Sequence, residues 1–228
     1  MNIIIFGPPG AGKGTQSDFI VKNFNIFKLS TGDLLREEIN KKTELGLKIT
    51  SIVNSGSLVS DNIINNLIEN IVSKENYKNR IIFDGYPRNL SQAVNLNELL
   101  LKYKQKIDIV IRLKVSLDII KKRIAGRITC SKCGKTFNEF FNPSSSNIVC
   151  CKNQLLQKRN DDNVEVAIKR FETYQLSTEP VLEFYNKLNL VKDVNGEMDI
   201  DTIHSKIRDY LTVIEGWLCK ITPYKYIF

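Results

Sequence analysis

The stretch Ile3-Ile4-Ile5-Phe6-Gly7-Pro8-Pro9-Gly10-Ala11-Gly12-Lys13-Gly14-Thr15 decides the fold. Four apolar residues make a short, fully buried strand, and they run directly into a glycine-rich turn. Gly7, Gly12 and Lys13 fit the pattern G-x-x-x-x-G-K-[ST], with the small polar step displaced to Gly14-Thr15. In such a turn, backbone N–H groups close around phosphate oxygens. The helix that follows adds the partial positive charge of its N-terminus, and Lys13 reaches the outer phosphates. The bland alternative is a glycine-rich turn carrying a surface lysine; the strand before it and the helix after it argue against that.

Working outward, short apolar runs recur at 26–29, 81–84, 109–113 and 190–194. Amphipathic patterns fill 13–24, 31–41, 60–73, 89–103, 116–125, 162–187 and 199–214. Strand–helix repetition predicts an α/β fold with a five-stranded parallel sheet flanked by helices, its strands' carboxyl ends forming one ligand edge. Two segments break the alternation and read as insertions on that edge. Residues 31 to about 60 hold two helical stretches, and residues about 127 to 163 hold four of the five cysteines. The tail from Gly216, with Trp217, reads as an extension packed against the core.

Composition sets broad limits. Hydrophobic residues make up 42% and charged residues 25% of 228, which excludes a disordered or collagen-like chain. No apolar run approaches the roughly 20 residues of a membrane span, so no membrane partner is expected. The N-terminus lacks a basic n-region and an A-x-A site, which predicts no secretory signal and a cytoplasmic protein. Thirty-three Lys and Arg against 25 Asp and Glu leave a net +8, pointing to anionic partners. The abundance of Asn with Lys suggests codon bias in part, so nucleic acid is not expected from charge alone. Clustered cysteines without an export signal read as a metal site rather than disulfides.

Asp84 closes the third strand, where a carboxylate behind a phosphate loop serves a magnesium ion, and Arg88 follows in Asp84-Gly85-Tyr86-Pro87-Arg88. An ordinary turn and a solvated cation are the bland readings of that pair. Lys13, Arg36, Arg88, Arg127, Arg159 and Arg170 recur at the ends of expected elements. Six cations in segments facing one edge read as a clamp on two polyphosphates. Phosphoryl transfer needs positioning and charge stabilisation, not a covalent nucleophile, so the lone His204 is expected to be a surface residue.

Taken together, these motifs resemble the adenylate kinases. The phosphate loop through Gln16, the run Leu29-Ser30-Thr31-Gly32-Asp33-Leu34-Leu35-Arg36, and Asp84 to Arg88 with Gln92 carry the resemblance. It continues through Gly126-Arg127, Arg159-Asn160-Asp161-Asp162 and Ala167-Ile168-Lys169-Arg170, and it covers the chain to about Leu211. It implies a P-loop NTPase core (1–29, 60–126 and 164–228), an AMP-binding domain at 30–59 and a lid at 127–163 of the long, cysteine-bearing kind. It implies reversible phosphoryl transfer from MgATP to AMP, giving two ADP, by a monomer.

Residue by residue, the resemblance implies that Gly10, Ala11, Gly12, Lys13, Gly14 and Thr15 cradle ATP phosphates. Arg127, Thr136 and Phe137 would cover ATP from the lid, and Met198 would lie beside its base. Thr31, Arg36, Ser57, Leu58, Val59, Gly85, Tyr86, Pro87, Arg88 and Gln92 would bind AMP. Arg159 and Arg170 would close on the phosphates between the nucleotides. Lys13, Arg88, Arg127, Arg159 and Arg170 would be the catalytic set, with Asp33 and Asp84 holding magnesium through water. The family more often has tyrosine and histidine where this chain has Phe137 and Asn138.

Within 127–163, Cys130-Ser-Lys-Cys133-Gly134 is one half of a zinc knuckle, two thiolates on a turn ending in glycine. The other half is contracted to adjacent Cys150-Cys151. The expectation is a structural zinc, with Cys130, Cys133, Cys150 and Cys151 as ligand candidates. A three-thiolate site with Asn153, Asp161 or water as fourth ligand is an alternative. So is a metal-free lid held by Phe137, Phe140 and Phe141. Competing readings of the whole chain are a kinase for another nucleoside monophosphate, a GTP-using AMP kinase, and a zinc-ribbon nucleic-acid binder.

Overall fold

The computed structural model describes residues 1–55, 57–132, 135–141, 151, 156–158 and 162–221, with no account of the side chains of 217–221. Among the described residues, two sheets form. The larger comprises β1 (Ile3–Phe6), β2 (Phe27–Ser30), β3 (Ile81–Asp84), β4 (Ile109–Lys114) and β8 (Val191–Asn195), in the order β2-β3-β1-β4-β8. Every pairing is parallel: Ile4 stands opposite both Phe83 and Val110, Leu29 opposite Phe83, and Leu113 opposite Val194. The chain adds β2 and β3 on one side of β1 and then β4 on the other. That reversal opens a crevice at the carboxyl end of β1, where the glycine-rich turn lies.

The strand period of two divides β1 between two cores. Ile4 and Phe6 join a cluster with Ile64 and Ile68 of α4 (Asp61–Val72), Leu96 of α5 (Leu90–Lys102), and Val181 and Tyr185 of α8 (Glu179–Asn186). Ile3 and Ile5 pack with Ile20 of α1 (Lys13–Phe24) and with Ile203, Ile207 and Leu211 of α9 (Ile200–Ile221). The α9 and α4 residues recur at every fourth position, which draws one buried stripe down each helix. Each such buried side chain stabilises the sheet by roughly 1.5–3 kcal/mol.

Between β2 and α4 lie α2 (Thr31–Asn40) and α3 (Glu44–Asn54). Ser30 caps α2 by accepting from Asp33 N–H, and Thr43 caps α3 by accepting from Gly46 N–H. After α6 (Leu117–Ala125) comes the smaller antiparallel sheet: β5 (Arg127–Cys130), β6 (Thr136–Asn138) and β7 (Leu156–Gln157), in the order β6-β5-β7. The next helix, α7 (Val164–Thr173), leads back to α8.

Three expectations differ from what forms. The helix expected over 162–187 is interrupted by a π-helical turn, Tyr174–Thr178. Pro180 lacks the N–H that an α-helix would give to the carbonyl four residues earlier, so the ladder widens upstream of it. The second and fifth strands each begin one residue later than the apolar runs suggested, at Phe27 and Val191. The last helix continues beyond 214 to Ile221. The expected packing of Trp217 and the tail lies outside the described residues.

Candidate active site

The carboxyl ends of the parallel strands open into a cavity of about 820 Å³. Its floor is the phosphate loop. Gly12 caps α1 with φ 94°, a left-handed conformation natural to glycine, and so lets the loop turn sharply into the helix. Lys13 Nζ folds back and donates to Gly7 O at 2.7 Å and Pro8 O at 3.0 Å. Gly10, Gly12, Gly14 and Thr15 line the cavity beside it, whereas Ala11 is buried behind the loop.

Basic side chains from separate elements face this floor. Arg36, Arg88, Arg127 and Arg170 all line the cavity. Arg88 Nε donates to Gly85 O at 2.7 Å, and the same carbonyl accepts from Thr31 Oγ1 at 2.8 Å. Thr178, in the π-helical turn, donates to Arg88 O at 2.8 Å and ties the start of α8 to the loop after β3. Arg36 pairs with Asp33 at 2.5 Å, Arg127 forks onto Asp162, and Arg170 Nη2 donates to Val53 O at 3.0 Å.

The crowding of charge is visible in proton affinities. Burial lowers the Lys13 ammonium to about 8; Asp84 opposes that, while Arg88, Arg127 and Arg170 lower it further. Burial also lowers Arg88, to about 10, with Arg170 adding to the effect. Burial raises the Asp84 carboxyl against the pull of Lys13 and Lys28. At Asp33, burial acts upward, but the charge and hydrogen bond of Arg36 prevail and hold the carboxyl below its usual value. Polyanionic ligands would relieve the mutual repulsion of these cations.

Asp84 ends β3, is 9% exposed, and has no hydrogen bond to its carboxylate among the described residues. A buried carboxylate with unused oxygens beside a phosphate loop fits a hydrated magnesium ion. Cys130 is buried at the end of β5, and its N–H donates to Lys135 O at 2.9 Å. Cys151 is half-buried. Cys133, Cys150 and Arg159 lie outside the described residues. Among the described residues, no cluster of three or more His, Cys, Asp or Glu forms.

The expected acceptor residues Thr31, Ser57, Leu58, Val59, Gly85, Tyr86, Pro87 and Gln92 line the same cavity, as do Thr136 and Phe137. Met198 is 48% exposed and does not line it. Asn138 lines the cavity and donates to Arg123 O at 2.6 Å.

Sequence reasoning passed over Arg123. It lines the cavity, donates to Ala11 O at 3.2 Å and Gly196 O at 2.8 Å, and has its guanidinium 5.4 Å from the Phe141 ring centre. Its signal was its position in the last turn of α6, four residues before Arg127. His204 corrects an expectation. It is not a plain surface residue but half-buried at the cavity wall, stacked on Phe19 with centroids 4.0 Å apart. The stack arises because α1 and α9 pack on the same face of the sheet, a tertiary fact that a helical pattern does not carry.

A family model described as adenylate kinase matches residues 5–190. An adenylate kinase of Pelagibacter ubique is 51% identical over 213 residues, 93% of this chain and 100% of that protein. One from Methanocella arvoryzae is 41% identical over 91% of this chain and 97% of its own length, and one from Bacillus subtilis is 37% identical over 92% and 98%.

Proposed function

The chain belongs to the adenylate kinase family, and from that premise we propose how its cavity transfers a phosphoryl group from ATP to AMP. The observation that carries the proposal is that Lys13, Arg88, Arg127 and Arg170 reach one cavity from three elements and a loop, near enough that each arginine perturbs the lysine.

The donor triphosphate lies over residues 10–15, its outer phosphates on the loop N–H groups and Lys13. Arg123 and Arg127 hold it from the lid side with Thr136 and Phe137. AMP enters between α2 and the 85–92 loop. Arg36 and Arg88 take its phosphate, and Thr31, Leu58, Val59 and Gln92 enclose its base. Arg170 stands between the two nucleotides, and the family resemblance implies the same role for Arg159. An AMP phosphate oxygen then attacks the γ-phosphorus, the bond to the β–γ bridging oxygen breaks, and ADP forms on both sides. The transition state is loose, and the cations stabilise charge on the equatorial oxygens.

Asp84 and Asp33 would hold magnesium through water, and its charge would offset that of the transferring phosphates. Residues 30–59 and 127–163 act as two flaps that shut the cavity and exclude water before transfer. Free swinging of both flaps supports a monomer. No described helix is long and apolar enough to cross a membrane, and the cytoplasm, where ATP, ADP and AMP circulate, is the location this reading favours.

In the lid, Cys130 and Cys151, with Cys133 and Cys150, would hold a zinc ion. Zinc there would cross-link the lid and take no part in transfer. The zinc-ribbon alternative accounts for 127–163 alone, whereas the family match spans 5–190.

The test is ADP formation with ATP as donor and AMP, GMP, CMP or UMP as acceptor. AMP is the expected acceptor; a higher kcat/KM for any other overturns the assignment of the acceptor site.

A further inference from the structure

Gln92 sits at the cavity wall with 2% of its surface exposed. Its side-chain amide lies between two partners that fix which end is which. Nε2 donates to Asp61 Oδ1 at 2.7 Å, and Oε1 accepts from the Arg88 backbone N–H at 2.7 Å. A carboxylate only accepts and a backbone N–H only donates. Exchanging the two ends of the amide would therefore set acceptor against acceptor and donor against donor.

Asn89 braces the same arrangement. Its Oδ1 caps α5 by accepting from Gln92 N–H at 2.8 Å, and its Nδ2 donates to both Asp61 oxygens, at 3.1 and 3.2 Å. One carboxylate in the first turn of α4 thus orients two amides. A primary amide has two N–H donors and two acceptor positions. One of each is used here, so Gln92 retains one N–H and one lone pair, in a fixed order, for a ligand.

We propose that Asp61 is a specificity-determining positioning residue: by fixing the amide of Gln92 it makes the acceptor site read adenine and reject hypoxanthine. This rests on the reading above that Gln92 faces the acceptor base. Adenine carries an exocyclic N–H donor beside a ring-nitrogen acceptor, which matches Oε1 and Nε2–H of the fixed amide. Hypoxanthine has nearly the same outline but an exocyclic oxygen beside a protonated ring nitrogen. An amide free to turn over would pair with either base; a fixed one meets hypoxanthine with like groups opposed. Shape alone separates such isosteres poorly, whereas an unpaired or opposed polar group discriminates strongly. Asp61 touches no substrate in this scheme and acts through Gln92.

The experiment measures kcat/KM for AMP and for IMP, with ATP as donor, in the wild type and in Asp61→Asn, Asp61→Ala and Gln92→Ala. Asparagine fills the same space but can donate as well as accept, so of the two groups that oppose the reversed amide only the Arg88 N–H remains. The AMP-to-IMP ratio is expected to fall by about tenfold or more in Asp61→Asn, with relative gain for IMP. A purely structural Asp61 would lower both values alike, so a ratio within about twofold of wild type in folded Asp61→Asn overturns the proposal. Asp61→Ala removes the acceptor altogether and should shift the ratio in the same direction. Because it also leaves an amide N–H unpaired, a failure to fold passes the decision to Asp61→Asn. Gln92→Ala separates the two levels. If it leaves the ratio at the wild-type value, Gln92 does not read the base and the underlying reading fails. If it collapses the ratio while Asp61→Asn does not, only the role of Asp61 fails.

Discussion

Donor binding should consume a proton at alkaline pH, because the free protein holds Lys13 near half-charge at about pH 8. Burial is the main cause, and the charges of Arg88, Arg127 and Arg170 add to it. A bound triphosphate reverses the balance: it brings several negative charges to Nζ and restores the lysine toward its ordinary value. If only the charged form binds, the competent fraction is about nine-tenths at pH 7 and about one-tenth at pH 9. Affinity for ATP should therefore fall by about tenfold between those values, with uptake approaching one proton at pH 9. Terminal phosphate titration does not confuse the result, since its second pKa is about 6.

Isothermal titration calorimetry in buffers of different ionisation enthalpy reads the uptake directly. Lys13→Met should bind weakly at every pH, show no uptake, and lose transfer by about 10³-fold. The same titration has a sign for stability. The folded pKa lies below the unfolded one, so the unfolded chain holds more protons between about pH 8 and 10.5. This group's contribution to stability rises with pH across that window. At neutral pH the buried charge costs stability, so Lys13→Met should melt no lower than the wild type. Equal ATP affinity at pH 7 and pH 9 with no proton uptake would show that Lys13 is fully charged in the free protein at both values.

Three further outcomes follow from other parts of the molecule. Arg36→Ala and Arg88→Ala should raise KM chiefly for AMP, and Arg127→Ala chiefly for ATP; equal effects on both substrates from all three, in initial-rate kinetics, would contradict the division of the cavity. Gly46→Ala should destabilise the protein by about 2 kcal/mol or more, because its Cβ would collide with the Glu38 backbone oxygen and force α3 off α2. In a chain of this length that lowers the melting temperature by roughly 4–8 °C, readable by calorimetry. Purified protein should carry close to one equivalent of zinc by elemental analysis, and chelation should lower its melting temperature. An unchanged melting temperature and no uptake of added zinc would remove the site.

What the sequence made legible was local. The run Ile3–Phe6 is apolar on both faces because helices cover both sides of the sheet, and the glycine-rich turn after it has its meaning wherever a strand precedes it and a helix follows. The loop at 84–88 was legible for the same reason. What stayed hidden depends on contacts distant in the chain. Asn2 is fully buried, donating to Gln105 Oε1 and Lys106 O and accepting from Ile81 N–H, so it joins the ends of three strands; nothing in its neighbours in sequence marks it. Asp61 reads as an ordinary first-turn acid until α5 brings Gln92 against it. The π-helical turn at 174–178 was half-legible, since Pro180 signals a disturbed helix but not whether the chain breaks or bulges. Arg123 shows a cation near the lid, while its use in holding Ala11 and Gly196 requires the fold.

Direct transfer requires that one cavity hold donor and acceptor together. A bisubstrate compound, two adenosines joined by five phosphates, tests it most directly. It should bind one per chain, compete with ATP and with AMP in steady-state kinetics, and protect the folded protein against heat more than either nucleotide alone. Competition with only one of the two substrates, or a stoichiometry of two per chain, would contradict the account.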